Sequence, residues 1–179
     1  DPRYKGHIVM SNPTSSGVAY TIISSWLQAF GDEKAWAFMG GLDKNVKMYT
    51  QSGAAPVEMA ARGEIAIGLS EAAFARSLFQ RGAPLEVAIL TSPVPLDMEA
   101  SVIIKGTGKL EAAQKLLDFS VSPEMAAIVA ERDCVSAQPA ITKPEAGKIP
   151  ELMGSYDFSK AAKDRQTTIE GWRKRFDVR

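Results

Sequence analysis

One cysteine and one histidine are all that this chain of 179 residues offers toward thiol or imidazole chemistry. With Cys134 alone, an intrachain disulfide and a cysteine-rich metal site are both excluded. A lone thiol reads as a small buried apolar group. His7 is the only imidazole that a zinc site or a Ser-His-Asp triad could use. At the start of an apolar strand it reads as structural. Charge of one sign is lacking too, with 21 basic residues against 21 acidic. That balance argues against a nucleic-acid binder working by bulk electrostatics. No apolar run approaches the about 20 residues that span a bilayer. There is no phosphate-binding loop with a lysine, no dinucleotide fingerprint, no zinc pattern, no repeat and no low-complexity tract.

What is present is the make-up of an ordinary globular protein, 45% hydrophobic and 23% charged. The length suffices for a buried core and for one or two domains. The opening "DPRYKGHIVM" has no initiator Met and no signal peptide, and enters a strand almost at once. It reads as an interior segment of a fragment or processed chain, so the missing signal says little about compartment.

The chain alternates strand and helix. Residues 7–10 (HIVM) predict a strand. Val18, Ile22, Ile23, Trp26 and Phe30 recur at helical spacing and predict a helix over 16–30, stopped by Gly31. Asp32 can cap a second helix carrying Trp36 and Met39. Residues 46–49 (VKMY) are extended, and a Ser-Gly turn at 52–53 opens a helix closed by Gly63. The run IAIGL (65–69) suits a strand buried on both faces. A helix over 71–81 and a strand over 85–90 (LEVAIL) follow. This alternation predicts an α/β fold with parallel pairs. "TSPVPLD" (91–97) is an extended connector, because its prolines forbid a helix. "MEASVIIKG" predicts a strand, then helices over 109–119 and 123–132, the second capped by Ser122. Residues 133–154 read as a loop. A last helix over 158–176 carries Phe158, Ala162, Arg165, Ile169, Trp172 and Phe176 on one stripe.

"NPTSSGVAY" (12–20) holds the chemistry. A helix start leaves about four N–H groups without partners and carries partial positive charge. Gly17 allows close approach, and Thr14, Ser15 and Ser16 add hydroxyl donors. A phosphate, phosphonate or carboxylate fits such a place. The same run also serves as a plain helix cap. Ser52, and Ser70 with Glu71, follow strands in the same way, so the three loops could share one rim at the carboxyl ends of the strands. Glu71 suits a ligand ammonium, though by pattern alone an acid there first complements a helix dipole. Asp97 and Glu99 fall on one face of a strand without a partner base. No nucleophile–base pair stands out, so binding is better supported than catalysis, with no cofactor and no metal expected.

On "DPRYKGHIVMSNPTSSGVAY", "AARGEIAIGLS", "MEASVIIKGTGKLEAAQKLLDFSVSPE" and "YDFSKAAKDRQTTIEGWRKRFD", the chain resembles the periplasmic solute-binding proteins of ABC importers. The resemblance is to the branch that binds ferric iron, phosphonates and sugar phosphates, and is strongest to the 2-aminoethylphosphonate subgroup. It implies a type 2 periplasmic-binding-protein fold whose two lobes close on the ligand. Residues 1–94 would form most of the second lobe; residues 95–179 would form the hinge return and the C-terminal helical part of the first. The rest of the first lobe, an N-terminal part of the same protein, would be absent. The resemblance also implies an inner-membrane permease as partner and a periplasmic location. It places the anion at Thr14, Ser15, Ser16 and Gly17, and makes Asp97 the first candidate for a ligand amine or hydroxyl, with Glu71 and Glu99 behind it. In the iron branch a Tyr-Tyr pair binds the metal; here Ala73 and Phe74 stand at those positions and supply no ligand. The expectation is a binder of a small organophosphonate or organophosphate, with 2-aminoethylphosphonate as candidate. The alternatives are a metal–anion binder and a sensor module of the same fold.

Overall fold

The structure, a computed structural model, describes residues 1–88, 99–132, 134–141 and 156–176. After a 3-10 turn at Pro2–Tyr4 come β1 (Ile8–Ser11), α1 (Gly17–Phe30), α2 (Asp32–Asp43) and β2 (Val46–Thr50). Then follow α3 (Ala55–Ala61), β3 (Ile67–Leu69), α4 (Ala72–Gln80), α5 (Leu110–Ser120), α6 (Pro123–Glu131), a 3-10 turn at Pro139–Ile141 and α7 (Phe158–Phe176). The chain divides into two compact units, Asp1–Leu96 with Met153–Arg179, and Asp97–Leu152.

The first unit is built on a parallel sheet of order β2-β1-β3. Ile8 pairs with both Val46 and Ile67, and Met10 with Tyr49 and Leu69. His7 contributes its backbone: its carbonyl accepts from Ala66 N and Ile67 N at 3.1 and 3.0 Å. Strand β1 is central and buried throughout. That is why its sequence is a continuous apolar run. The same expectation for IAIGL does not hold, since β3 flanks β1 and is only half-buried. The connection from β1 to β2 runs one way along the sheet, and that from β2 to β3 runs back past β1. Right-handed crossovers then put α1 and α2 on one face and α3 on the other. The strand order therefore reverses between β1 and β3.

On the first face, Met10 packs with Tyr20, Ile23 and Trp26 of α1, Met39 of α2, and Ala161, Ile169 and Trp172 of α7. The Trp172 ring meets Tyr49 edge-on, with centroids 5.1 Å apart. The face of α1 is rotated from the predicted one. Ala19, Tyr20, Ile23 and Trp26 are buried, while Phe30 lies exposed at the helix end. Tyr20 reaches the core because its hydroxyl finds a partner, the Ala161 carbonyl. Helix α7 thus belongs to the first unit, although residues 95–179 were expected to form the other lobe. Its aromatic stripe is what anchors it there, with Ala161 inward in place of Ala162.

Gly31, at φ +76°, ends α1 and directly precedes α2. Asp32 is the first residue of α2 and not its cap; it complements the dipole from inside the first turn. Residues 85–88 and 99–104 are not strands, and the remainder of LEVAIL, all of TSPVPLD and Met98 lie outside the described residues. Strand-type sequence needs a neighbouring strand to pair with, and none stands beside these two stretches among the described residues. In the second unit α5 and α6 form as predicted, and Ser122 caps α6 by accepting from Met125 N at 3.2 Å.

Candidate functional site

The reversal of strand order between β1 and β3 gathers three loops at the carboxyl ends of the sheet. Asn12 N–H still bonds the Thr50 carbonyl at 2.7 Å, so the first loop leaves the sheet tied to β2. The Asn12 side chain then accepts from Thr14 N at 2.9 Å and its carbonyl from Ser16 N at 2.9 Å, which turns the chain tightly into α1.

Ser16 is the N-cap of α1. It has extended φ and ψ, and its Oγ accepts from Ala19 N at 3.3 Å. Ser11 Oγ donates to the same oxygen at 3.1 Å. Both serines are buried, at 0% and 5% exposure. The two hydroxyls carry two protons, and one lies between them. The other has no acceptor among the described residues. The Gly17 and Val18 amides of the same first turn have no acceptor within the helix. A donor cluster is thereby assembled at the positive end of the helix.

The other loops close on this point. A Cβ on Gly53 would meet Ser16 Oγ at 3.0 Å and Val18 Cγ2 at 3.3 Å, so the second loop passes directly against the cap. Ser70 Oγ donates to the Gly53 carbonyl and ties the third loop to the second. Beneath them, Gly68 packs so closely on α3 that a Cβ would lie 2.5 Å from the Pro56 carbonyl oxygen.

The predicted site residues fall as follows. Ser16, Gly17 and Ser70 line this rim, with Thr14 half-buried beside them. Ser15 is exposed, and its hydroxyl proton is directed to the backbone carbonyls of Asn12 (3.3 Å) and Gln51 (3.0 Å). It works as a clasp between loops, not as a free donor. Ser52 caps its own turn, accepting from Ala54 N at 3.2 Å, while the short helix α3 begins only at Ala55. Glu71 is the N-cap of α4 and is exposed, next in sequence to Ser70. Glu99 is exposed in the second unit and is not in a strand. Asp97 lies outside the described residues. Ala73 and Phe74 sit in the first turns of α4. No three His, Cys, Asp or Glu gather among the described residues. Ser11 and Gly53, which lie against Ser16, were not among the residues singled out from the sequence. Ser11 is the polar end of an apolar strand, and that change of character was the available signal.

A helix-start donor cluster at the switch point of a parallel sheet is the kind of place where open α/β folds bind ligands. Comparison with known proteins makes this specific. Residues 1–161 match the family model described as bacterial extracellular solute-binding protein, and the chain belongs to that family. The periplasmic binding protein AfuA from Actinobacillus pleuropneumoniae, solved with exogenous fructose-6-phosphate bound, is similar in structure, with a TM-score of 0.87 and 28% identity. The match covers 100% of this chain and 58% of that one. The periplasmic binding protein P5PA matches with a TM-score of 0.82 and 27% identity, over 98% of this chain and 58% of its own. An uncharacterised protein of Haemophilus influenzae is 29% identical over 181 residues, 96% of this chain and 52% of its own length. The chain therefore spans about half of the curated relative it matches. The fold is that of periplasmic binding proteins. No helix among the described residues is long and apolar enough to cross a membrane.

Proposed function

We propose that this chain is the ligand-gripping part of the solute-binding component of an ABC importer. It works in the periplasm and captures a small organic phosphate or phosphonate. The observation that carries the reading is the buried Ser11–Ser16 pair, 3.1 Å apart at the start of α1. Its remaining proton and the first-turn amides match the acceptor oxygens of a phosphoryl group. The fructose-6-phosphate bound to AfuA favours a sugar phosphate first. The 2-aminoethylphosphonate reading comes second; its ammonium group would need a carboxylate such as Glu71, Asp97 or Glu99. Closure of two lobes on the ligand would favour the shape that docks on the inner-membrane permease. Capture and release break no bond, so no catalytic residue is assigned.

The test is calorimetric titration of the whole polypeptide that carries this chain. Fructose 6-phosphate, 2-aminoethylphosphonate, inorganic phosphate and ferric citrate are the ligands. Tight binding of one of the phosphoryl ligands, lost in Ser16→Asp, supports the reading. Tight ferric binding with no response to any phosphoryl ligand overturns it.

A further inference from the structure

Ser11 lies outside the first turn of α1, yet it is bonded to the residue that caps it. Ser16 Oγ accepts twice, from Ser11 Oγ at 3.1 Å and from Ala19 N at 3.3 Å. A hydroxyl oxygen has two lone pairs, so both are taken and Ser16 is left with its proton alone. That proton has no acceptor among the described residues, in a side chain only 5% exposed. A serine cap does not require this. Ser122 caps α6 by accepting from Met125 N, and its hydroxyl bonds the Glu124 carboxylate. Ser15, Thr50 and Ser70 direct their protons to backbone carbonyls.

We infer that Ser11 is a positioning residue for the phosphoryl site: by donating to Ser16 it makes that hydroxyl a donor that cannot accept, so this lobe takes the phosphoryl group as its dianion. This rests on the phosphoryl reading above. A phosphate monoester loses its second proton near about pH 6. The dianion presents acceptor oxygens only. The monoanion carries an O–H that needs an acceptor, and Ser16 has no lone pair to give it. Removing the Ser11 hydroxyl frees one. Among the described residues no ionisable side chain bonds the pair. Tyr20 of α1 and Tyr49 of β2 turn their hydroxyls to the Ala161 carbonyl and to Asp43. Lys47 of β2, Glu58 of α3 and Glu71 at the start of α4 are exposed, and His7 precedes the far end of β1.

The test is the pH profile of binding, by calorimetry on the whole polypeptide that carries this chain. Fructose 6-phosphate and 2-aminoethylphosphonate are the probes, and Ser11→Ala and Ser11→Thr are compared with wild type. Wild type should bind fructose 6-phosphate about 10-fold more weakly at pH 5 than at pH 8. With each probe that binds, the midpoint should follow that probe's own second ionisation. Ser11→Ala should weaken binding at pH 8 and flatten the profile to less than about threefold. Ser11→Thr keeps the hydroxyl and should restore the slope. Thermal melts show whether the variants fold, and the wild-type profile decides alone if neither does. A flat wild-type profile would overturn the inference and leave the phosphoryl reading in place, with another rim oxygen such as Ser70 Oγ accepting the ligand's proton. A Ser11→Ala profile as steep as wild type would overturn it too, since charge alone would then set the slope. So would one midpoint shared by both probes, which would assign the titration to a protein group. Binding of neither probe at any pH overturns the phosphoryl reading and this inference with it.

Discussion

Ser11 and Ser16 share a hydrogen bond at 3.1 Å, one residue closing the central strand and the other capping the helix that follows. Strand, turn and helix are thus joined at the point where the loops converge. Replacing Ser16 separates two roles. Ser16→Ala removes the cap and should cost about 1 kcal/mol of stability. It should also weaken phosphoryl binding about 10-fold or more, as expected for a bond to a charged group. Ser16→Asp restores a capping oxygen but sets a negative charge in the site. It should fold, and bind at least about 100-fold more weakly. Thermal melts and calorimetry on both variants check this.

Gly17 gives a sharper separation. No heavy atom lies within 4 Å of where its Cβ would be, so the folded chain does not require glycine there. Gly17→Ala should leave stability unchanged or raise it by up to about 1 kcal/mol through helix propensity. If a ligand packs on this backbone, the same methyl group lowers its affinity. Unchanged affinity would move the ligand away from the first turn of α1.

Gly53→Ala tests the contact between loops. The new Cβ would press on Ser16 Oγ at 3.0 Å and on Val18. Overpacking of this kind costs about 1–3 kcal/mol if neither loop yields. We expect a lower melting temperature together with weaker phosphoryl binding, read by calorimetry. Gly68→Ala should be the more damaging to stability, because its Cβ would meet backbone, the Pro56 carbonyl, at 2.5 Å.

Tyr20 links the first and last helices of the first unit through its bond to the Ala161 carbonyl, and the Arg165 guanidinium lies over its ring at 4.9 Å. Tyr20→Phe should cost about 1 kcal/mol. Burial pushes the phenol pKa above its ordinary value of 10.0. The folded state therefore holds this proton more tightly than the unfolded state does. Its contribution is whole below the unfolded value and is lost as the pH rises through the folded value. Urea unfolding of wild type should show a decline in stability above about pH 10. The Tyr20→Phe protein should lack that component of the decline.

Several elements could be read before any coordinates. The spans of α1, α5, α6 and α7 follow from apolar periodicity and from the Gly31 and Ser122 boundaries, which act within a few residues. Ser16 was legible because a cap is a local device. Ser11 was not, since its importance depends on a bond to a residue five positions on, formed only once the strand and turn are folded. Gly53 was legible as a turn residue but not as the neighbour of Ser16.

The sequence by itself determined the class: an α/β alternation and a donor-rich helix start. Those are matters of residue type and local spacing, which survive without the fold. Only the tertiary structure decided which side of each helix is inward, that α7 belongs with β1 and α1, and that Ser16, Gly53 and Ser70 meet. Each of these depends on strand order, and strand order is set by contacts between residues far apart in the chain. Residues 85–88 and 99–104 make the same point from the other direction. Their sequence favours strands, but a strand needs a neighbour to satisfy its backbone, and pattern alone does not supply one.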